Sequence, residues 1–101
     1  MRKVMVRYTV EADRAEENVR FVRAVFEELE RESPEGIRYA TFKLPDGVSF
    51  VHLASVETSD GTNPLTATGA FRAFIAQIKD RCVEAPVSTE LDLVGQYRVF
   101  G

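Results

Sequence analysis

The chain has 101 residues, of which 45% are hydrophobic and 29% charged, and this length and composition suit one folded domain over residues 1–101. The net charge of -3, with no run of Lys and Arg, argues against nucleic acid and anionic membranes as partners. A single cysteine excludes an internal disulfide, and no apolar stretch reaches the roughly 18 residues needed to span a bilayer. We therefore expect a cytoplasmic protein.

The first part of the chain predicts a strand followed by a helix. Residues 3–11 alternate between apolar and polar side chains, which is the period of a β-strand. Apolar residues then recur at the spacings of three and four that mark a buried helix face, at Val19, Val22, Phe26 and Leu29. The segment Ser33-Pro34-Glu35-Gly36 ends this helix, because proline lacks an N–H donor and glycine tolerates positive φ.

A hairpin is predicted next. Residues 37–44 and 48–57 are its strands, and Asp46-Gly47 between them is a strong turn signal. A two-residue loop at Asp46-Gly47 would make three pairs face each other, namely Thr41 and His52, Tyr39 and Ala54, and Lys43 and Phe50. A three-residue loop would shift every pair.

The second half of the chain predicts a polar loop, a second helix and a last strand. Residues 58–69 are the loop. The helix is indicated by an apolar stripe at Phe71, Phe74, Ile75, Ile78 and Cys82, and Ala85-Pro86 ends it. Residues 87–100 alternate again and predict a fourth strand, with a bulge at Gly95.

The order β-α-β-β-α-β predicts an α+β protein with the ferredoxin-like, or split βαβ, arrangement. Its four strands form an antiparallel sheet. Because crossover connections are right-handed, both helices are expected on one face of that sheet.

The alternation sorts the strand residues into two predicted faces. One set is almost wholly apolar and is expected to meet the helices: Val4, Val6, Tyr8, Val10, Ala40, Phe42, Val51, Leu53, Leu91, Leu93, Tyr97 and Val99. The other set is mixed: Met5, Arg7, Thr9, Tyr39, Thr41, Lys43, Phe50, His52, Ala54, Val94, Gln96 and Arg98. A solvated face should carry several carboxylates, and this one has only Asp92 at its margin. We therefore expect a second copy of the chain to cover it, forming a homodimer.

Several segments along nearly the whole chain carry a family resemblance: Arg7-Tyr8-Thr9-Val10, Tyr39-Ala40-Thr41-Phe42, Asp46-Gly47-Val48-Ser49-Phe50-Val51-His52, Asn63-Pro64-Leu65 and Gly95-Gln96-Tyr97-Arg98-Val99-Phe100. In these the chain resembles the antibiotic biosynthesis monooxygenase (ABM)-like domains of the dimeric α+β barrel superfamily. The resemblance implies two sheets packed face to face, with a cavity in each subunit. It also implies a cofactor-independent monooxygenase of small aromatic or quinol-type molecules. The tryptophan and the helix-borne histidine that such enzymes commonly use are missing here.

His52 and Tyr39 are the candidate catalytic residues. The imidazole of His52 is the one side chain that ordinarily titrates near neutral pH, so it is either a general base or a ligand-binding donor. The alternative role is that of a hydrogen-bonded histidine in the dimer interface. Tyr39 supplies either a phenol to the site or packing to the interface.

Five further residues are predicted to bind a ligand: Arg7, Thr41, Phe50, Gln96 and Arg98. Arg7 and Arg98 suit an anionic group, although an ion pair between subunits would use them equally well. The 58–69 loop is expected to form the rim of the pocket. One His and one Cys do not supply a structural metal site, and no nucleotide motif is present, so no metal or cofactor is expected. Two functions stay open at this point, namely the enzyme and a non-catalytic ligand-binding or accessory homodimer.

Overall fold

The structure, a computed structural model, describes residues 1–99. Within them, one antiparallel sheet in the order β2-β3-β1-β4 is built from β1 (Arg2–Val10), β2 (Ile37–Lys43), β3 (Ser49–Val56) and β4 (Cys82–Leu91). The helices are α1 (Ala15–Glu32), α2 (Gly69–Ala76) and α3 (Ile78–Arg81), and short 3₁₀ turns lie at Ala12–Arg14 and Pro64–Ala67. The predicted ferredoxin-like α+β fold is confirmed.

The helices cover one face of the sheet and enclose the core. Tyr8, Val10 and Phe50 of the sheet are buried together with the helix residues Val22, Val25, Phe74 and Ile78. Each such apolar side chain contributes roughly 1.5–3 kcal/mol when it is fully removed from water. None of the helices within residues 1–99 is both long and apolar enough to cross a membrane.

The hairpin has the predicted register but a wider turn. Thr41 lies opposite His52, and the pairs on either side agree with the expectation. The Leu44 amide donates to the Ser49 carbonyl at 2.8 Å, so four residues, 45–48, form the loop. The Asp46 carboxylate accepts from the backbone amides of Val48 and Ser49, which holds the turn closed.

The predicted assignment of faces is wrong for β2 and β3, and also for Leu91 of β4, which pairs with Lys3 and lies on the side away from the helices. In the pairing of β1 with β3, Val6 lies opposite His52 and Tyr8 opposite Phe50. Residues paired across a sheet point to the same side. The side chains of Tyr39, Thr41, Phe50, His52 and Ala54 therefore face the helices of their own chain, while Ala40, Phe42, Val51 and Leu53 lie on the opposite side, which we call the outer face.

The end of the chain also differs from the prediction. The second helix breaks at Gln77, and β4 begins at Cys82 rather than at residue 87. Pro86 lies inside β4, where an edge strand with irregular register tolerates its missing N–H. Residues 92–99 lie outside the sheet, so the predicted strand positions of Gln96 and Arg98 and the predicted bulge at Gly95 are wrong. Residue 100, the end of the predicted strand, is outside the described residues.

Gly36 directly precedes β2 and has a backbone conformation that favours glycine. Its φ is +84°, and an added Cβ would lie 2.5 Å from Cγ2 of Thr58. We expect Gly36→Ala to lower the free energy of unfolding by about 1–2 kcal/mol through backbone strain, with a further loss from the contact. Gly61→Ala is the matched control, because Gly61 has φ +80° and open space. Equal losses for both variants in urea denaturation would contradict the role of the Thr58 contact.

Candidate functional site

A cavity of about 320 Å³ lies between the inner face of the sheet and the helices α2 and α3. Its wall is mostly apolar, with Val4, Val6, Leu65, Phe71, Phe74 and Ile78 among the lining residues. Asn63 and Lys79 also line it, and Tyr8, Tyr39 and His52 form a polar corner. A mainly apolar wall with a few convergent polar groups is the usual form of a small-molecule site.

Aromatic rings surround the polar corner. The His52 ring centroid lies 5.3 Å from those of Tyr8 and Phe74 and 5.7 Å from that of Tyr39. The Phe71 and Tyr39 rings lie nearly perpendicular, with centroids 6.3 Å apart. Such rings favour flat, unsaturated ligands, because offset stacking and edge contacts add to the burial of apolar area.

Both ring nitrogens of His52 are hydrogen-bonded. Nε2 lies 2.8 Å from the Tyr8 hydroxyl. Nδ1 lies 2.5 Å from the Tyr39 hydroxyl and 3.0 Å from the Thr41 hydroxyl. These contacts join β1, β2 and β3, so the register of the sheet positions the imidazole.

All three ring groups of this corner are uncharged at neutral pH, and burial strengthens the preference of each for its neutral form. Burial lowers the pKa of His52 to about 4, because the protonated ring is poorly solvated there. Burial likewise raises the pKa of Tyr39 to about 12, although a hydrogen bond with Thr41 opposes the shift. The pKa of Tyr8 is raised further by the same cause. The neutral form of His52 therefore follows from its burial.

Behind the corner lie two buried polar residues that the sequence analysis did not select. The Asn18 amide donates from Nδ2 to the Tyr8 hydroxyl at 2.8 Å, and the Arg81 guanidinium donates from Nε to Asn18 Oδ1 at 3.1 Å. Both side chains are fully buried. Both positions could have been noticed in the sequence, because Asn18 shares a helix face with Val22, and Arg81 shares one with Ile78.

The structure brings together some of the predicted site residues and separates others. Tyr39, Thr41 and His52 meet at the polar corner. Phe50 is buried in the core, stacked on Tyr8 at 5.5 Å between ring centroids. Arg7 is exposed on the outer face, opposite Val51 and Val87. Gln96 and Arg98 lie in the segment after β4, so the three do not converge on His52 as predicted.

The 58–69 loop contributes to the lining of the cavity. Asn63 and Leu65 of this loop line the cavity. The Asn63 side chain accepts from the Leu65 backbone amide at 3.0 Å, which fixes the start of the short Pro64–Ala67 helix. As for metals, no group of three His, Cys, Asp or Glu side chains within residues 1–99 is arranged to hold an ion.

Comparison with known proteins connects this geometry to one fold. No protein-family model matches the chain, and no curated protein matches its sequence. Solved structures do resemble it. An antibiotic biosynthesis monooxygenase superposes with a TM-score of 0.75 at 18% identity, covering 94% of this chain and 100% of that one. Rv0793 from Mycobacterium tuberculosis gives 0.71 at 18% identity, covering 94% and 96%.

A third structure is a mutant of SnoaB, a cofactor-independent oxygenase from Streptomyces nogalater. It superposes with a TM-score of 0.69 at 14% identity and covers 96% of each chain. At such identities the likeness establishes the fold. The chain therefore has the α+β fold of the antibiotic biosynthesis monooxygenase domains, as its sequence resemblance predicted.

Proposed function

We propose that this protein is a cofactor-independent monooxygenase that acts on a small aromatic molecule of the phenol or quinol type. The observation that carries the proposal is the apolar, ring-lined cavity with Tyr8, Tyr39 and His52 at one corner. Its volume suits a molecule of a few fused rings. The fold shared with SnoaB, named as a cofactor-independent oxygenase, supports the same reaction class.

The reaction would need nothing beyond the substrate and dioxygen. A ring CH₂ next to phenolic groups gives up two hydrogens and gains one oxygen atom as a carbonyl. The second oxygen atom leaves as water with those two hydrogens, so the substrate supplies all the electrons. The contribution of the protein is to exclude bulk water, orient the ring and stabilise the substrate anion that reacts with dioxygen.

One observation favours a second candidate, a ligand-binding homodimer without catalysis. Both nitrogens of His52 already have partners inside the protein, so neither is free to take a proton from a ligand directly. A histidine held in this way can position a binding site without taking part in catalysis.

Oxygen uptake separates the two candidates. We expect uptake with naphthalene diols or anthrone-type substrates, and a loss in Tyr39→Phe and His52→Ala. Tyr97→Phe is the matched control, because Tyr97 is exposed and lies outside the cavity. Saturable binding without uptake by any substrate of the panel would support the binding function. An absence of both would refute the site.

We also propose a homodimer formed through the outer face. Its centre is apolar and is made of Met5, Ala40, Phe42, Val51, Leu53, Val87 and Leu91. Phe42 is 53% exposed and Val87 is 63% exposed within the single chain. Arg7 is exposed among these side chains, between Val51 and Val87, but most of the face is apolar. Such a face suits a second copy of itself, which would meet it with the same surface.

The dimer predicts a specific effect at Phe42. We expect Phe42→Asp to give monomers of about 11.4 kDa in light scattering at micromolar concentration, because the dimer would bury an unpaired charge. Ala24→Asp, on an exposed position of α1, should leave the dimer intact. Phe50 is not a suitable position, since its ring is buried in the core. A wild-type protein that remains monomeric would contradict the proposal.

We place the protein in the cytoplasm. Cys82 is its one cysteine, and burial raises the pKa of the thiol, which keeps it in its unreactive form. A free thiol of this kind is stable in a reducing compartment.

A further inference from the structure

We propose that a hydrogen-bonded chain from Arg81 to Tyr39 makes the cavity select ligands that bind as oxyanions of the phenolate or enolate type. The inference rests on the proposed ligand site and adds the residues that would make it prefer the charged form of its ligand. The members of the chain, in order, are Arg81, Asn18, Tyr8, His52 and Tyr39.

Arg81 fixes the first step. A guanidinium has only N–H donors, so the atom of Asn18 that faces its Nε must be the carbonyl oxygen Oδ1. The amide nitrogen Nδ2 is then turned towards Tyr8 and donates to its hydroxyl oxygen. The orientation of the Asn18 amide is therefore set by the buried cation.

Tyr8 passes this direction on to His52. Its oxygen accepts from Asn18, and its own proton has the His52 Nε2 atom as its hydrogen-bonding partner at 2.8 Å. Nε2 must then be the unprotonated nitrogen of the neutral ring. The proton of His52 is on Nδ1 and points to the Tyr39 hydroxyl oxygen at 2.5 Å. The opposite arrangement would leave the buried Tyr8 proton without this acceptor, which is unfavourable.

Tyr39 is the open end of the chain. Its oxygen accepts from His52, and the hydrogen bond with Thr41 lowers the pKa of Tyr39, so Thr41 is a donor to this oxygen as well. The proton of Tyr39 itself is therefore available to a ligand in the cavity. Each donor in such a series strengthens the next one, and the series ends on a positive charge at its far side. A ligand oxygen that carries a negative charge gains most from this donor.

The charged side chains that line the cavity or end the hydrogen-bonded chain are positive. The titratable side chains lining the cavity are Tyr8, Tyr39, His52 and Lys79, and no carboxylate is among them. Arg81 forms no ion pair within residues 1–99, and the carboxylate of Glu17, which acts on it from a distance, is bonded to Arg14. Its Nη1 is buried without a hydrogen-bond partner. Arg81 therefore acts as a positioning residue whose charge remains available to the chain.

The first experiment reads the tautomer of His52 without a ligand. The chain has one histidine, so ¹⁵N NMR of the imidazole is unambiguous. We expect a protonated Nδ1 and an unprotonated Nε2 in the parent protein. In Asn18→Asp the new carboxylate has no N–H for Tyr8, so Tyr8 must donate to it and accept from His52. The tautomer should therefore switch to a protonated Nε2, whereas a merely structural role would leave it unchanged.

The second experiment measures the ligand's charge state. The probe is 4-nitrophenol, whose phenol and phenolate absorb at different wavelengths, and 4-nitroanisole is the control of similar shape that cannot ionise. We expect the bound phenol to ionise at lower pH than the free phenol. We also expect 4-nitrophenol to bind about tenfold or more tighter than 4-nitroanisole. Tyr39→Phe and Arg81→Gln should reduce this ratio, while Tyr97→Phe and Arg72→Gln should not.

The possible results distinguish an error in the oxyanion inference from an error in the ligand site. If both probes bind equally well and the phenol ionises as in water, the oxyanion inference is wrong and the ligand site survives. If neither probe binds, both the site and the inference are refuted. If Asn18→Asp does not fold, Tyr8→Phe replaces it, because removal of this hydroxyl should release the tautomer into a mixture. A fixed Nδ1–H tautomer in a folded Tyr8→Phe protein would overturn the proposed chain.

Discussion

Replacement of Asn18 by leucine should lower the free energy of unfolding by about 3 kcal/mol or more. Asn18 is fully buried and hydrogen-bonded on both sides, to Arg81 and to Tyr8. Leucine fills a similar volume but leaves the Arg81 Nε without an acceptor, in a protein where Nη1 already lacks one. A buried cation that loses its hydrogen-bond partner costs more than the loss of the bond itself. Urea denaturation at constant protein concentration measures the change.

A double-mutant cycle separates the lost hydrogen bond from lost packing. In Asn18→Leu with Arg81→Met both polar partners are replaced, so no buried cation remains. The double variant should be more stable than Asn18→Leu alone, because replacement of both partners avoids the cost of the unpaired group. If the losses in the free energy of unfolding of the two single variants simply add, Asn18 contributes only packing. The hydrogen bond between Asn18 and Arg81 would then provide no energetic coupling.

Local patterns predicted the elements that depend on local chemistry. Alternation located β1, and the sequence around Asp46-Gly47 gave the correct pairing of Thr41 with His52. The helix α1 ends as predicted, with Ser33 in the left-handed region at φ 45° and its amide bonded to Leu29. These features are determined within a few residues of chain.

The faces of the hairpin could not be found by the same means. Alternation fixes which residues of a strand share a side, but the phase of the hairpin relative to β1 depends on a long-range pairing, Val6 with His52. Hydrophobicity predicted the wrong side of the hairpin for the core, because the residues that face the helices, Tyr39, Thr41 and His52, are more polar than the outer Phe42 and Val51. This inversion is expected where the inner face carries a binding site and the outer face is apolar enough to meet a partner.

The site was predicted in part, for a related reason. Tyr39 and His52 stood out as polar ring residues within strands. Tyr8 was grouped with the core, which is correct for its ring but neglects its hydroxyl. Asn18 and Arg81 are single polar residues on apolar helix faces, and the significance of such residues depends on which groups they meet across the core.

The pH dependence of stability should show the burial of His52 directly. Its folded pKa of about 4 lies below its ordinary value of 6.5, so the unfolded chain binds the proton more readily. The stability that neutral His52 contributes is therefore complete above about pH 6.5 and is lost as the pH falls towards 4. Between pH 7 and pH 5 we expect a loss of about 2 kcal/mol from this residue. Urea denaturation at the two pH values, at one protein concentration, measures it.

Carboxylates with lowered pKa values also lose stability in acid, but in a different window. For Asp46 and Glu57 the pKa falls because hydrogen bonds stabilise the ionised form, so their contribution is lost only as the pH falls below their ordinary values of 3.8 and 4.5. The interval from pH 7 to pH 5 therefore reports on the single histidine. In His52→Gln the stability should be nearly constant over this interval. An equal slope in the variant, or an NMR titration of His52 near pH 6.5 in the folded protein, would show that the ring is hydrated. Water would then have access to the hydrogen bonds that His52 makes with Tyr8 and Tyr39.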